Sequence, residues 1–542
     1  MATSRTSRQE ERLLEALSPF ELKSRLLELA DARGADLLLN AGRGNPNWIA
    51  TVPRAAFFLL GQFGLEEARR LWDEPGIGGR PARAGIASRL ASFLRRHRDE
   101  PGAGLLASAV KYGGERFGFE PDAWVHELTD GVIGDVYPSP DRMLTHCEQV
   151  VHEYLVKEMC DGDPPSGRFD LFAVEGGTAA ICYLFETLSL NRLLHPGDRI
   201  ALGVPTFTPY IEIPNLPRYH FDVVELSASE VHEDGLHSWQ YPDEEVEKLA
   251  DPAVKVFFLI NPSNPPSVMV RPHTLEQIAE IIRDRNPNLI VLTDDVYGTF
   301  VPGFRSFMAV APHNTIGVYS FSKYFGCTGW RLGVVAVHQD SVLERLLAEL
   351  PDDVKEILDE RYGSITLRPR ELRFIDRMVA DSRSVALNHT AGLSLPQQVQ
   401  MALFALAALL DTADAYKRRV RDIVRHRLAL LEEGLEVRLP DDPNRAAYYA
   451  ELDLKLWAER AYGPEFATWM VENFEPVDVI FRLAEQESVV LLHGGGFAGP
   501  AWSVRVSLAN LPDDAYRRIG QAIRRIGAEY VAEYEAATGK RL

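Results

Sequence analysis

The sequence predicts an α/β fold: a large domain with a mainly parallel sheet flanked by helices, plus a smaller α+β domain. Three observations predict it. Between residues 170 and 337 short apolar runs alternate with helical patterns, as in a sheet covered on both faces. Beyond residue 396 the pattern changes to a long basic helix, isolated strands and a closing helix. Glycine-rich or polar residues follow the ends of several predicted strands, where the loops of open α/β sheets carry ligand sites.

In chain order, residues 1–130 read as a mostly helical N-terminal segment with Gly/Pro-rich breaks at 74–85 and 101–104. Residues 131–395 are expected to form the large domain. Its strands are predicted at 170–174, 199–204, 221–226, 254–260, 289–293, 315–321 and 332–337, with helices at 178–194 and 274–285. Residues 396–542 are expected to form the smaller domain, completed by N-terminal segments. A helix is predicted over 411–433, a strand over 446–454, a helix over 477–486, strands over 489–492 and 503–508, and a helix from 513.

Composition narrows the function classes. With 542 residues, 46% hydrophobic and 25% charged, the chain reads as an ordinary globular protein of two or three domains. A net charge of -20 argues against nucleic acid or an anionic membrane as partner. Anionic ligands must then be caught by a few local arginines. Cys147, Cys160, Cys182 and Cys327 show neither metal-ligand spacing nor a disulfide framework, which fits a reducing cytoplasm and no metal. The first residues lack an apolar signal core, and no apolar run approaches the ~20 residues of a membrane span.

The chemistry is concentrated after the predicted strand 315–321. The run Ser320-Phe-Ser322-Lys323-Tyr-Phe-Gly-Cys-Thr-Gly-Trp-Arg331 carries a lysine out of a buried strand into a glycine-rich loop. Such an amine can form a Schiff base with an aldehyde while the hydroxyls of Ser320 and Ser322 and the guanidinium of Arg331 hold a phosphate. Pyridoxal 5'-phosphate has both groups. Other segments fit the same ligand, each with a plainer alternative. Glu175-Gly176-Gly177-Thr178 is either a phosphate-binding helix start or an ordinary turn. Asn261-Pro-Ser-Asn264-Pro-Pro-Ser is a stiff loop that aims Asn264 at a ligand, or a Pro-rich turn. Asp294, after a core strand, needs a cationic partner such as a pyridinium N–H, or caps a helix; Tyr297 follows it. Phe207 stacks on a ring or packs in the core. Arg505, in an apolar strand, pairs structurally or grips a carboxylate.

In this order the motifs resemble the fold type I pyridoxal-phosphate enzymes of the aspartate aminotransferase superfamily: Asn-Pro-x-Asn-Pro, Asp-x-x-Tyr, Ser-x-Ser-Lys with an arginine eight residues on, and a late strand arginine. The resemblance runs from about Gly42 to the C-terminus. It implies that Lys323 is the Schiff-base lysine and proton shuttle, that Asp294 binds the ring nitrogen, and that Tyr297 and Asn264 bind the 3'-oxygen. It assigns the phosphate to Gly177, Thr178, Ser320, Ser322 and Arg331, and the substrate α-carboxylate to Arg505. Gly44, in Arg43-Gly44-Asn45-Pro46, matches a glycine at the substrate mouth. Tyr137 matches a tyrosine that reaches a neighbouring subunit's phosphate, so the minimal unit would be a homodimer.

Length, the start Leu39-Asn-Ala-Gly-Arg-Gly-Asn-Pro-Asn-Trp48, the lysine loop and the turn His493-Gly-Gly-Gly-Phe497 are similar to the aspartate 4-decarboxylase branch. The chain departs from a plain aminotransferase in its extra segments near 60–130, 350–390 and 440–475, and in Asn264-Pro-Pro-Ser where many relatives have Asn-Pro-Thr-Gly. That resemblance implies conversion of L-aspartate to L-alanine and carbon dioxide, side aspartate aminotransferase activity with keto acids, and larger homo-oligomers built from dimers. It also leaves the distal carboxylate to be contacted by Arg43 or, as a weaker candidate, Lys23, which otherwise reads as a solvated helix residue. The alternatives are an aspartate or aromatic aminotransferase with insertions and, remotely, a non-enzymatic regulator on this fold.

Overall fold

The computed structural model describes residues 6–32, 38–72, 74–383 and 391–542. The chain enters through β1 (Leu39–Asn40) and then builds a seven-stranded sheet. Its strands are β2 (Phe169–Val174), β3 (Arg199–Val204), β4 (Asp222–Ser227), β5 (Val254–Ile260), β6 (Ile290–Asp294), β7 (Thr315–Ser320) and β8 (Gly333–His338). They lie in the order β2-β8-β7-β6-β5-β3-β4. Only β8 runs against its neighbours, so the sheet is mainly parallel as expected. β6, β7 and β8 are buried at every position, and β5 exposes only Lys255. That is why these strands read as near-continuous apolar runs.

This topology gathers the site. The carboxyl ends of β2, β3, β5, β6 and β7 share one edge, and the reversed β8 starts there, with Gly333 opposite both Val174 and Ser320. Loops separated by up to 150 residues of sequence therefore meet at one rim.

The smaller unit holds β9 (Tyr449–Asp453), β11 (Leu492–His493) and β12 (Ser503–Ser507) as an antiparallel sheet with β12 central. Helices Ala415–Leu435 and Asp513–Thr538 pack against each other beside it. N-terminal segments complete this unit: β1 pairs in parallel with β10 (Val489–Val490), and helix Pro19–Ala32 packs on Asp478–Glu487. The single strand expected over 489–492 is thus two. Val489–Val490 serves β1 and Leu492–His493 serves β12, because the chain changes partner at buried Leu491.

Boundaries shift where caps or partners decide them. The helix expected from 411 begins at Ala415, after Asp414 takes a left-handed backbone. The strand expected from 446 begins at Tyr449, because Ala446 and Tyr448 donate their N–H groups to Ser267 instead. The N-terminal segment is helical through Thr51–Leu71, Ile86–Arg96, Ala103–Phe117 and Pro121–Ile133. The extra segment near 350–390 forms helices Asp352–Tyr362 and Phe374–Asp381; its residues 384–390 lie outside the described residues. Among the described residues no single helix is long and apolar enough to cross a membrane.

Candidate active site

Where β2, β3, β5, β6 and β7 end, a cleft of about 330 Å³ opens between the large sheet and the β9–β12 sheet. Its anion-binding corner is built from backbone first. Helix Gly177–Leu190 starts at Gly176 with no side-chain cap, leaving first-turn N–H groups and positive dipole at the rim. Gly176 has φ +89°, and a Cβ there would meet the Arg331 guanidinium at 2.5 Å. The glycine thus lets Arg331 approach. Arg331 itself adopts left-handed backbone (φ 55°), held by donation to the Thr328 and Glu175 carbonyls. Ser320 donates to Ser322 at 3.0 Å. Amides, hydroxyls and one guanidinium at this corner form a donor set for a phosphate.

On the cleft floor Asp294 is buried at the end of β6. It accepts from the Tyr210 hydroxyl and, at 3.2 Å, from the Val296 N–H. Burial pushes its pKa up, against these hydrogen bonds and Lys323. The short turn onto Val296 belongs to the capping alternative, yet the carboxyl also lines the cleft. A buried carboxylate facing an open polar cavity fits a cationic ring nitrogen. Lys323 donates from Nζ to the Gly44 carbonyl at 3.0 Å. Tyr297 donates its hydroxyl to Tyr449 at 3.1 Å. Phe207 meets Phe20 edge-on at 5.7 Å between centroids.

Arg505 is 1% exposed. It donates to Asn264 Oδ1 and to the Gly42 carbonyl, each at 3.1 Å, and its Nε has no partner among the described residues. No carboxylate of the chain pairs with it among the described residues, so of the two sequence readings the structural ion pair is absent. Lys23 stands nearby: its pKa is lowered first by burial, then by Arg43 and Arg505. Three cations gather here.

Of the residues singled out from sequence, Gly44, Gly177, Thr178, Phe207, Asn264, Asp294, Tyr297, Ser320, Ser322, Lys323, Arg331 and Arg505 all line this one cleft. Arg43 is exposed beside it without lining it, and Tyr137 is 71% exposed outside it. Sequence reasoning missed Phe20, Tyr210 and Tyr449, which also line it. Tyr449 carried a usable signal: it alternates with Glu451 and Asp453 on one face of β9.

The sequence profile described as "Aminotransferase class I and II" matches residues 172–523. The chain belongs to that family. Members are pyridoxal-phosphate enzymes, and so is this chain; the corner, floor and lysine described above fit that group. A "Bifunctional aspartate aminotransferase and L-aspartate beta-decarboxylase" from Pseudomonas sp is 48% identical over 527 residues, covering 97% of this chain and 98% of the relative. Nicotianamine aminotransferase A of Hordeum vulgare is 31% identical over 362 residues, 63% of each chain. Among solved structures, a double mutant of Thermus thermophilus aspartate aminotransferase superposes with a TM-score of 0.56 at 19% identity, over 95% of this chain and 98% of that one. The aromatic aminotransferase from Pyrococcus horikoshii gives 0.56 at 16% identity, over 93% and 99%. These two likenesses concern the fold.

Proposed function

We propose that the chain is an L-aspartate 4-decarboxylase, making L-alanine and carbon dioxide, with aspartate aminotransferase as its second activity. The observation that carries this reading is Arg505, buried in the cleft wall with no carboxylate partner among the described residues, with Arg43 and Lys23 adding positive charge in its neighbourhood. Two carboxylates of one substrate match such a cluster better than a monocarboxylic or aromatic amino acid does. The near-full-length likeness to the bifunctional Pseudomonas protein supports it.

Bound in the cleft, pyridoxal phosphate supplies an electron sink conjugated with the substrate's amino group. The chain's own residues then have distinct tasks. The helix start at Gly177 and Thr178, with Ser320, Ser322 and Arg331, holds the phosphate. Asp294 keeps the ring nitrogen protonated, and Tyr210 fixes that carboxylate. Asn264 and Tyr297 hold the 3'-oxygen, and Phe207 covers a ring face. Lys323 carries the cofactor and, once freed, moves the proton at the substrate Cα. Arg505 takes the α-carboxylate. Arg43, aided by Lys23, contacts the distal carboxylate. Phe20 meets Phe207 and Phe497 edge-on, and Phe20 and Phe497 lie against Arg505; these rings exclude water, whose attack would divert the substrate to oxaloacetate. Tyr137, exposed outside its own cleft, reaches the phosphate of a second copy, so the working unit is a homodimer, itself a building block of a larger homo-oligomer.

The test is incubation of the purified holoenzyme with L-aspartate and no keto acid. Sustained release of alanine and carbon dioxide is expected. One half-turnover that stalls would overturn the decarboxylase reading and leave a transaminase.

A further inference from the structure

Tyr449 opens β9. It is 2% exposed and lines the cleft from β9. Its hydroxyl accepts from Tyr297 at 3.1 Å. The Arg505 guanidinium lies 4.4 Å from its ring centre, a diagonal pair across β9 and β12. A Cβ placed on Gly44 would stand 2.5 Å from the Tyr449 hydroxyl and 3.1 Å from Lys323 Nζ. Hydroxyl and amine thus flank one point at the cleft mouth. The phenol spans from the guanidinium to the amine. An amino acid bound with its carboxylate at Arg505 and its nitrogen end at Lys323 occupies the same span.

The residue is held there with unusual firmness. The loop after β5 is hydrogen-bonded to the segment leading into β9: Ala446 N–H donates to the Ser267 carbonyl at 2.8 Å, Tyr448 N–H to the Ser267 hydroxyl at 3.0 Å, and Met269 N–H to the Asn444 carbonyl at 2.8 Å. Ser267 takes a left-handed backbone (φ 63°) and supplies the hydroxyl that accepts from Tyr448. The neighbouring Tyr448 hydroxyl and Lys323 Nζ donate to the same Gly44 carbonyl, at 2.8 and 3.0 Å. Burial alone would raise the Tyr449 pKa. Lys323, then Arg505, then the hydrogen bond from Tyr297 bring it below the ordinary tyrosine value. A buried acid, more acidic than a free phenol and aimed into the cleft, is equipped to give up a proton.

We infer that Tyr449 is a catalytic acid, the group that protonates the substrate β-carbon after its carboxylate has left as carbon dioxide. The inference rests on the decarboxylase reading. The bond between Cβ and the distal carboxylate carbon breaks, and carbon dioxide departs without the bonding pair. That pair, conjugated with the substrate nitrogen, takes the proton of the Tyr449 O–H and forms a new C–H bond at Cβ. The tyrosinate recovers one proton from solvent, the proton that conversion of aspartate to alanine and carbon dioxide consumes overall. Lys323 is left with the proton at Cα, so the two carbons have separate acids.

The holoenzyme and its Tyr449→Phe variant are incubated with L-alanine in D2O, and exchange at Cα and Cβ is followed by proton NMR. The wild type is expected to exchange both positions. The variant keeps Cα exchange within a few-fold and loses Cβ exchange by about 10²-fold; alanine formation from aspartate falls in parallel. Equal loss at both carbons would make Tyr449 a positioning residue for Lys323, and unchanged Cβ exchange would leave it without a role; either overturns the inference. A wild type that exchanges only Cα and makes no alanine from aspartate sinks the decarboxylase reading, and this inference with it. A second measurement does not depend on turnover or on the variant's folding. With 3-fluorotyrosine at position 449 of the cofactor-free chain, the fluorine resonance is expected to titrate below free 3-fluorotyrosine. A transition at or above that value overturns the assignment.

Discussion

At the scale of the residue, the cleft divides its chemistry among few side chains, and substitutions separate them. Lys323→Ala is expected to abolish the visible absorbance of bound cofactor and to lower both activities by at least about 10⁴-fold, since amine and base are lost together; an absorbance scan and the acceptor-free aspartate assay check it. On the proposed reading, Arg505→Ala removes the α-carboxylate grip while leaving Lys323 in place. Loss of a charge-assisted pair costs about 1.5–3 kcal/mol, so kcat/KM for aspartate should fall about 10- to 100-fold, mostly through KM. Steady-state kinetics at fixed pH measure it. Both residues were legible as sequence, because a lysine or arginine inside an apolar run has few reasons to be there. Tyr449 was harder to read: its alternation with Glu451 and Asp453 places it on one face of β9, but a tyrosine there passes for core packing until Lys323 and Arg505 are seen around it.

At the scale of the element, the site depends on close backbone approaches. Gly326, at φ +60° in the loop after Lys323, would place a Cβ 1.9 Å from the Trp48 carbonyl oxygen. Gly326→Ala should therefore push the lysine loop off the N-terminal segment, destabilising by about 1–3 kcal/mol and lowering cofactor affinity; thermal melts with and without added cofactor test both. The core strands were readable because β5 to β8 are buried on both faces. The 489–492 run was read as one strand because apolar composition does not say which partner a residue pairs with. Its division between β1 and β12 is set by an N-terminal segment some 450 residues earlier. The cap at Asp414 was missed for a related reason: its left-handed backbone carries no glycine to announce it.

At the scale of the whole molecule, buried charge governs stability. Arg482, 1% exposed, donates to Asp478 and Glu533 at 2.7 Å and lies 4.1 Å from the Tyr530 ring centre. It ties helix Asp478–Glu487 to the closing helix Asp513–Thr538. Arg482→Ala should cost about 3–5 kcal/mol, read as a lowered denaturation midpoint. The pH dependence has two limbs. Burial pushes Glu451 up to about 8, so the folded chain holds this proton longer than the unfolded one, whose ordinary value is 4.5. Stability is therefore lost as pH rises from about 4.5 to 8, and Glu451→Gln should flatten that fall in a series of melts. His493 is pushed down to about 4 by burial. The unfolded chain takes that proton first, so stability is lost as pH falls from about 6.5 to 4.

The sequence by itself determined the fold class and the cofactor, and it named many of the residues that line the cleft. Those facts are local: a few residues after each strand, spaced by the chain, carry chemistry that no ordinary turn requires. Tertiary structure decided what those residues face. Gly44 and Lys323 lie 279 residues apart and share a hydrogen bond. Asn264 and Arg505 are 241 apart. Lys23 and Arg43 come into the electrostatic neighbourhood of Arg505 because β1 is laid beside β10 and the N-terminal helix is packed onto the smaller unit. A proton's path and a carboxylate's fate depend on such convergence across space, and spacing along one chain does not encode it legibly. Tyr449, placed between amine and guanidinium by the pairing of β9 with β12, belongs to that second kind.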